Sequence, residues 1–383
     1  MYVQKIRRQL HMYPEVGFEL DRTLQLLREE LDKLGISYTE AYGKSSIVAT
    51  INPEKKHFTI GVRADIDALP IQETGTSEYK SRIEGQMHAC GHDAHAAIAL
   101  ATAKYIHEIR DEISCCVKFI FQAAEEYSTS GAKLMAEDGV MEDIDCIVAL
   151  HCEPKISVGE IAIKSGEQGA ISRGFKLEFH GKSAHAASQQ EGIDAIMMAV
   201  QTYTAIEFMI AKEVPAKEAV VFNVGAIHGG KTNNIISEHC SMFCTLRTYT
   251  EEQDERICRR IKQIIEGIAT AGGGKAEYIP VKYYPIVYNH EEITERIRLA
   301  AEKVIGKGHV KTHKRSMGGE DFSYFTMRKP GCMFRLGIAN KEKGITSGLH
   351  HADFDIDEQS LDIGIKIFTQ FILDNMNNNF SEF

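Results

Sequence analysis

Residues 58–67 read Phe58-Thr59-Ile60-Gly61-Val62-Arg63-Ala64-Asp65-Ile66-Asp67, and this stretch decides the fold class. It is a β-branched, apolar run of strand length that closes on two acids. Two runs of the same kind follow, Cys115–Glu126 and Asp145–Glu153, the first ending in Glu125-Glu126 and the second reaching His151. Helical patterns lie between them, at about Asp93 to Arg110 and over Gly131–Asp138. Strand, helix, strand, helix, strand predicts an α/β domain: a mostly parallel sheet with helices on both faces. Upstream, Leu20, Leu24, Leu27, Leu31 and Leu34 step at helical spacing until Gly35 stops them.

Downstream the pattern changes. Residues 172–180 read as a strand, 193–211 as a helix, and 219–228 and 236–248 as strands. The second of these strands alternates Cys240, Met242, Cys244 and Leu246. A helix with Ile257, Ile261, Ile264 and Ile268 on one face comes next. Thr250 and Gln253 form a capping box at its start, and Gly272-Gly273-Gly274 ends it. Ala276–Tyr284 completes β-α-β-β-α-β, a ferredoxin-like α+β order. Residues 172–284 are therefore expected to be a domain inserted into one built from 1–171 and 285–383. Two helices close the chain, at about 291–305 and 357–375, around a glycine-rich region with Gly318-Gly319-Glu320-Asp321 and His350-His351. A short Asn-rich tail is expected to fray.

With 383 residues and roughly 150 per domain, two or three domains are expected. Apolar residues make up 43% and charged residues 26%, enough for a large core, which excludes a disordered chain. The longest apolar stretches, such as Ile98–Ala103, are too short to span a bilayer. Net charge is −10, from 44 Lys+Arg against 54 Asp+Glu, with no long basic run. Nucleic acid and membrane surfaces are thus not the expected partners. Nine irregularly spaced cysteines and a polar N-terminus without a signal core read as thiols in a reducing cytoplasm.

The acids and the histidine at the ends of the three central strands share one edge of the sheet. In open α/β sheets ligands bind outside the carboxyl ends of the strands. Just before the first long helix, residues 88–95 hold His88, Cys90, His92, Asp93 and His95. Cys and His at i, i+2 can reach one ion, and that donor pair suits zinc or a similar first-row metal. The same residues also read as a polar loop capping the helix. Glu125-Glu126 reads either as a solvated acidic turn or as a pair divided between metal ligand and general base. His151 reads as a ligand or as an ordinary polar group after a strand.

Residues 225–232, Gly225-Ala226-Ile227-His228-Gly229-Gly230-Lys231-Thr232, match the phosphate-loop pattern G-x-x-x-x-G-K-[ST] letter for letter. That loop works only with a helix N-terminus directly after it. Here an alternating strand follows, which leaves an NTPase as a remote alternative.

Several motifs together resemble the metal-dependent aminoacylases, hippurate hydrolases and indoleacetyl-amino-acid hydrolases, amidohydrolases related to glutamate carboxypeptidases. They begin with Arg8-Gln9-Leu10-His11-x-x-Pro14-Glu15, Ala64-Asp65-Ile66-Asp67-Ala68-Leu69-Pro70-Ile71 and the His88–His95 cluster. Phe121-Gln122-Ala123-Ala124-Glu125-Glu126, Gly181-Lys182-Ser183-Ala184-His185-Ala186, Gly319-Glu320-Asp321-Phe322 and Leu349-His350-His351 continue them in chain order. The resemblance implies two divalent ions per subunit, zinc or manganese with cobalt or nickel as alternatives, on Cys90, His92, Glu126, His151 and His350. It implies Glu125 as general base, His185 as the group reaching the reacting carbonyl and Asp67 as a further catalytic residue. It implies Asn234, Arg247 and Gly319 as contacts to a small N-acyl amino acid. The inserted domain then corresponds to a lid and dimerisation domain, so a homodimer or higher homo-oligomer is expected, with His185 acting in the partner's site. Exopeptidase action on a dipeptide is the nearest alternative. Two family prolines are missing, one at Ala123 and one near His350, and neither absence removes a ligand.

Overall fold

A computed structural model describes residues 1–127 and 129–377. It forms two compact units: Met1–Gln168, Val287–Arg315 and Asp321–Phe383 in the first, and Gly169–Ile286 with Ser316–Glu320 in the second. These boundaries lie within three residues of 171/172 and 284/285, but the short return segment Ser316–Glu320 belongs to the second unit. The end of the Asn-rich tail lies outside the described residues.

The first unit opens with helices α1 (Tyr2–Met12) and α2 (Asp21–Leu34), then strands β1 (Ser37–Thr39), β2 (Ile47–Ile51) and β3 (Thr59–Asp65). Helix α3 (His92–Glu108), β4 (Cys116–Gln122), α4 (Gly131–Glu137), β5 (Cys146–Ser157), β6 (Ile161–Ile163) and β7 (Gly166–Glu167) follow. Every residue of β3 and β4 is buried. Ile60, Val62, Val117, Phe119, Cys146 and Val148 join one core with α1, α2 and α3, whereas Ile120, Ile147 and Ala149 join a second core with α4. Alternate side chains of one strand thus serve opposite faces, which is why these strands read as unbroken apolar runs. Helix α3 is buried nearly all round, and its alanines at 94, 96, 97, 99, 101 and 103 let the sheet and helices approach it closely.

The second unit holds β8 (Ile171–His180), α5 (Ala195–Glu213), β9 (Val221–Gly229), β10 (His239–Thr248), α6 (Glu251–Ala271) and β11 (Lys275–Tyr284). Its antiparallel sheet has the order β11-β8-β10-β9, the ferredoxin-like arrangement. Cys240, Met242, Cys244 and Leu246 alternate into its core as their spacing implies. Thr250 Oγ1 caps α6 by accepting from the Gln253 amide at 3.2 Å. The buried stripe of α6 is Ile257, Ile261 and Ile265; Ile264 and Ile268 pack only at its margin. The buried row steps by four through Ile257, Ile261, Ile265 and Ala269, so it winds slowly around the helix instead of holding the single face that the 4-3-4 spacing implies.

The chain returns to the first unit through β12 (Tyr288–Asn289), α7 (Glu291–Ile305), β13 (Val310–Thr312), α8 (Ser323–Thr326), β14 (Gly331–Ala339) and α9 (Gln359–Asn375). The large sheet runs β1-β2-β4-β3-β5-β14-β6-β13. Its central pairs β4-β3, β3-β5 and β5-β14 are parallel, and antiparallel pairing enters at β2-β4 and β14-β6. Strand β14 sits inside the glycine-rich region that carried no strand pattern, because Gly331, Arg335 and Gly337 interrupt its apolar run. No helix among the described residues is long and apolar enough to cross a membrane.

Candidate metal centre

Strands β4, β3 and β5 are neighbours in the sheet, so the segments leaving β3 and β4 emerge beside His151, which lies within β5 rather than after it. The N-terminus of α3 brings Cys90 and His92 to the same place. Gly91 between them has φ +86°, and a Cβ there would meet the Cys152 sulfur at 3.0 Å, so the approach requires glycine. His350 arrives from the segment before α9, where its main-chain amide donates to the Ala89 carbonyl at 2.8 Å. His350 itself holds φ 63°, and Ala124, just ahead of the glutamate pair, holds φ 55°. Non-glycine residues in this left-handed region carry strain that the surrounding contacts must hold in place.

Of the groups of donor atoms whose members all lie within 4.8 Å of one another among the described residues, three meet here: Cys90, His92 and His151; Cys90, Glu126 and His350; and His92, Glu125 and Glu126. Cys90 Sγ lies 3.5 Å from His151 Nε2, and Glu126 Oε1 lies 2.9 Å from His350 Nε2. The imidazoles are oriented by their far nitrogens. His92 Nδ1 donates to the Asp67 carbonyl at 2.8 Å, and His151 Nδ1 donates to the Cys152 carbonyl at 2.7 Å. Each ring therefore keeps the Nε2 lone pair for the cluster, the usual arrangement of a metal-bound histidine. His92 Nε2 is buried without a hydrogen-bond partner, as a nitrogen reserved for an ion would be.

Electrostatics point the same way. Burial, reinforced by the Glu126 carboxylate, pushes the Cys90 thiol well above its ordinary value, so a thiolate here calls for a cation in bonding reach. Burial, aided by Arg335, holds His151 well below its usual value and thus neutral, the ligating form. Against burial, the Asp65 carboxylate raises His92. Against burial, the bond to His350 and the nearby His92 lower Glu126. The thiolate, imidazole and carboxylate donors fit zinc or a similar first-row ion.

Asp67 does not enter these groups. Its two carboxylate oxygens accept the main-chain amides of Glu125 and Glu126, each at 3.1 Å, which fixes the strained turn that presents both glutamates. Sequence reasoning missed a second layer behind the site. Buried Arg63 donates to Asp65, Gln122 and Asp321 at 2.7–2.8 Å, and Ser130 also donates to Asp321 at 2.7 Å. A lone arginine within an otherwise apolar strand was the available signal.

All nine cysteines are buried and unpaired; Cys90 differs from the others by its ligating neighbours. In the second unit His185 and Asn234 lie side by side. His185 bridges Ile235, and the Ala186 amide donates to the Asn234 carbonyl at 3.0 Å. The Ala187 amide donates to His185 Nδ1 at 3.1 Å, so the neutral ring carries its proton on exposed Nε2. Gly319 lies against Arg247, whose Nη1 would sit 2.7 Å from a Cβ at that position. The phosphate-loop pattern falls on the end of β9 and a turn leading towards β10, with no helix after it, so it lacks the structural partner that a phosphate loop requires.

Residues 61–374 match peptidase family M20/M25/M40. The N-acetyldiaminopimelate deacetylase of Priestia megaterium is 35% identical over 372 residues, 96% of each chain. Thermostable carboxypeptidase 2 of Saccharolobus solfataricus is 34% identical over 369 residues, 95% of this chain and 92% of that one. Among solved structures, a dinuclear metal binding peptidase of Bacillus subtilis from the M20 family matches with a TM-score of 0.81 and 29% identity, covering 98% of both chains. The resemblance carried by the motifs holds at the level of the family, and the chain belongs to peptidase family M20/M25/M40.

Proposed function

We propose that the protein is a dinuclear metal amidohydrolase that cleaves N-acyl amino acids to a free amino acid and a carboxylate. The observation that carries this reading is the membership of Cys90 in two donor groups, one with His92 and His151 and the other with Glu126 and His350, with Glu125 beside them. Two divalent ions, zinc or manganese with cobalt or nickel as alternatives, would be held by Cys90, His92, Glu126, His151 and His350. Bound there, such ions supply Lewis acidity, polarising the amide carbonyl and lowering the pKa of water towards roughly 7. Glu125 takes the proton of the attacking water as its oxygen bonds to the acyl carbon. It returns that proton to the amine as the C–N bond breaks. Asp67 keeps Glu125 in position through its main-chain amide. Exposed His185 Nε2–H is assigned the developing oxyanion, and Arg247 with Gly319 and Asn234 the substrate carboxylate.

The deacetylase relative supports the N-acyl substrate. The carboxypeptidase relative supports a second reading, in which the scissile amide belongs to a peptide. A homodimer through the second unit is supported by α5, which exposes Ile196, Met197, Val200, Tyr203 and Phe208, next to edge strand β9. Buried unpaired thiols suit a reducing cytoplasm.

The test is hydrolysis of N-acetyl amino acids, N-benzoyl amino acids and dipeptides by protein loaded with each ion. Cleavage of an N-acyl series is expected. Cleavage of peptides alone would favour the second reading, and metal-independent turnover would overturn both.

A further inference from the structure

We infer that His95, its tautomer set by Asp65, is a positioning residue for His151, acting through the main chain of Cys152; this rests on the metal-hydrolase reading above. His95 is the third histidine of the 88–95 cluster and has the look of a ligand. Its donor atoms do lie within 4.8 Å of those of Asp65 and His92. Both of its ring nitrogens are nevertheless engaged elsewhere. Nδ1 is 2.6 Å from Asp65 Oδ1, and Nε2 is 2.9 Å from the main-chain nitrogen of Cys152.

These two bonds decide the tautomer. A main-chain amide can only donate, so His95 Nε2 accepts from Cys152 and carries no proton. The ring proton is on Nδ1, donated to Asp65. Neither nitrogen has a lone pair left for an ion, and His95 is a neutral link with a fixed direction. Asp65 is steadied in turn by Arg63, whose Nη1 donates to Oδ2 at 2.7 Å.

Cys152 passes the constraint on. Its amide is held by His95, and its carbonyl accepts from His151 Nδ1 at 2.7 Å. That bond turns His151 Nε2 towards Cys90 Sγ, 3.5 Å away. The packing has no slack, because the Cys152 side chain lies against Gly91, where even a Cβ would come within 3.0 Å of it. A shift of the peptide between His151 and Cys152 therefore changes the distance between two ligands of the same group. His95 is 2% exposed and Asp65 fully buried, so water does not replace either bond readily.

The experiment measures Zn²⁺ affinity of the full-length apoprotein by competition with a chromophoric chelator, for wild type, His95→Leu, His95→Gln and His95→Asn. Thermal midpoints of the four apoproteins are measured alongside. Glutamine can place its Oε1 near the position of Nε2 and keep an acceptor for the Cys152 amide. Asparagine keeps only a donor towards Asp65. Leucine and asparagine should weaken Zn²⁺ binding by about 10–100-fold, the usual cost of losing a partner behind a metal ligand. Glutamine should stay close to wild type, and the Co²⁺ absorption spectrum should shift in the leucine and asparagine proteins alone. A merely structural role would make affinity follow the thermal midpoints, or leave it equal in glutamine and asparagine; either result overturns the inference. If the leucine protein does not fold, the contrast between the two polar variants decides. Failure of the wild type to bind any divalent ion would instead overturn the metal reading itself, a separate and recognisable outcome.

Discussion

The sulfur of Cys90 stands 3.5 Å from Nε2 of His151, and the same sulfur belongs to the donor group of Glu126 and His350. One side chain on the loop before α3 therefore ties a histidine of β5 to a glutamate beyond β4 and a histidine before α9. Around it the first unit converges from four separate stretches of chain. The chemistry expected of the site depends on that convergence more than on any single ligand.

Cys90→Ala removes a donor from both groups at once. Bound metal, read by elemental analysis after gel filtration, should fall and turnover should vanish, while the circular dichroism spectrum persists. Alanine at Cys115 or Cys146, both buried and members of no donor group among the described residues, should leave metal content unchanged. Full metal content in Cys90→Ala would contradict the assignment.

Glu125 and Glu126 share an anchor, Asp67, yet should fail differently. Glu125→Gln keeps shape and polarity but cannot take a proton, so metal should remain while kcat falls about 10²–10⁴-fold, as is typical of lost acid–base catalysis. Glu126→Gln should lower metal affinity, since Glu126 is grouped with Cys90 and His350. Reversed phenotypes would exchange the two roles.

Arg63 tests the layer behind the site. It is 1% exposed and is the cation shared by Asp65 and Asp321, both fully buried. Arg63→Met leaves two carboxylates in a dry interior without their shared cation, and breaking such a pair costs about 3–5 kcal/mol. Urea unfolding of the apoprotein should show a loss of that order. A loss below 1 kcal/mol would mean that Gln122 and Ser130 suffice to hold Asp321.

Those contrasts mark what the amino-acid order could and could not disclose. Asp67, Cys90, Glu125 and Glu126 are legible because each falls just past a strand or just before a helix, and local pattern locates such points, whereas His151 reads as following a strand that in fact continues to Ser157. The Arg63–Asp321 pair is not legible, since nothing near Arg63 identifies a partner 258 positions away. Strand β14 escaped for a related reason: parallel pairing with β5 supplies its order, and Gly331 and Gly337 blur its local pattern. The role of Asp67 in fixing both glutamate amides needed the φ of Ala124, which no side-chain motif encodes.

His313 supplies a pH test away from the ligands. Burial, with the charges of Arg335 and Lys164, pushes it down to about 4 from an unfolded value near 6.5. A histidine with a depressed folded pKa adds stability that is complete above about pH 6.5 and is lost as pH falls through about 4, because only the unfolded chain takes up the proton in that interval. His313→Gln should therefore flatten the dependence of the urea midpoint on pH between those values relative to wild type. Parallel curves for the two proteins would show that His313 protonates as easily folded as unfolded.

The last prediction concerns His185. Its Nδ1 is occupied by the Ala187 amide, which leaves a proton on an exposed Nε2, a ready hydrogen-bond donor. If that donor serves the oxyanion, its bond is strongest in the transition state, so His185→Ala should lower kcat far more than it raises KM. Metal content should not change, because His185 is absent from every ligating group of the described residues. A rise in KM alone would make His185 a substrate contact without a part in the chemistry. Mixing His185→Ala with Glu125→Gln extends the test to the assembly. If His185 of one chain serves Glu125 of another, exchange of subunits should restore activity, because one site in each mixed dimer then has both residues intact. Confirmed exchange without recovery would mean that each chain supplies its own donor.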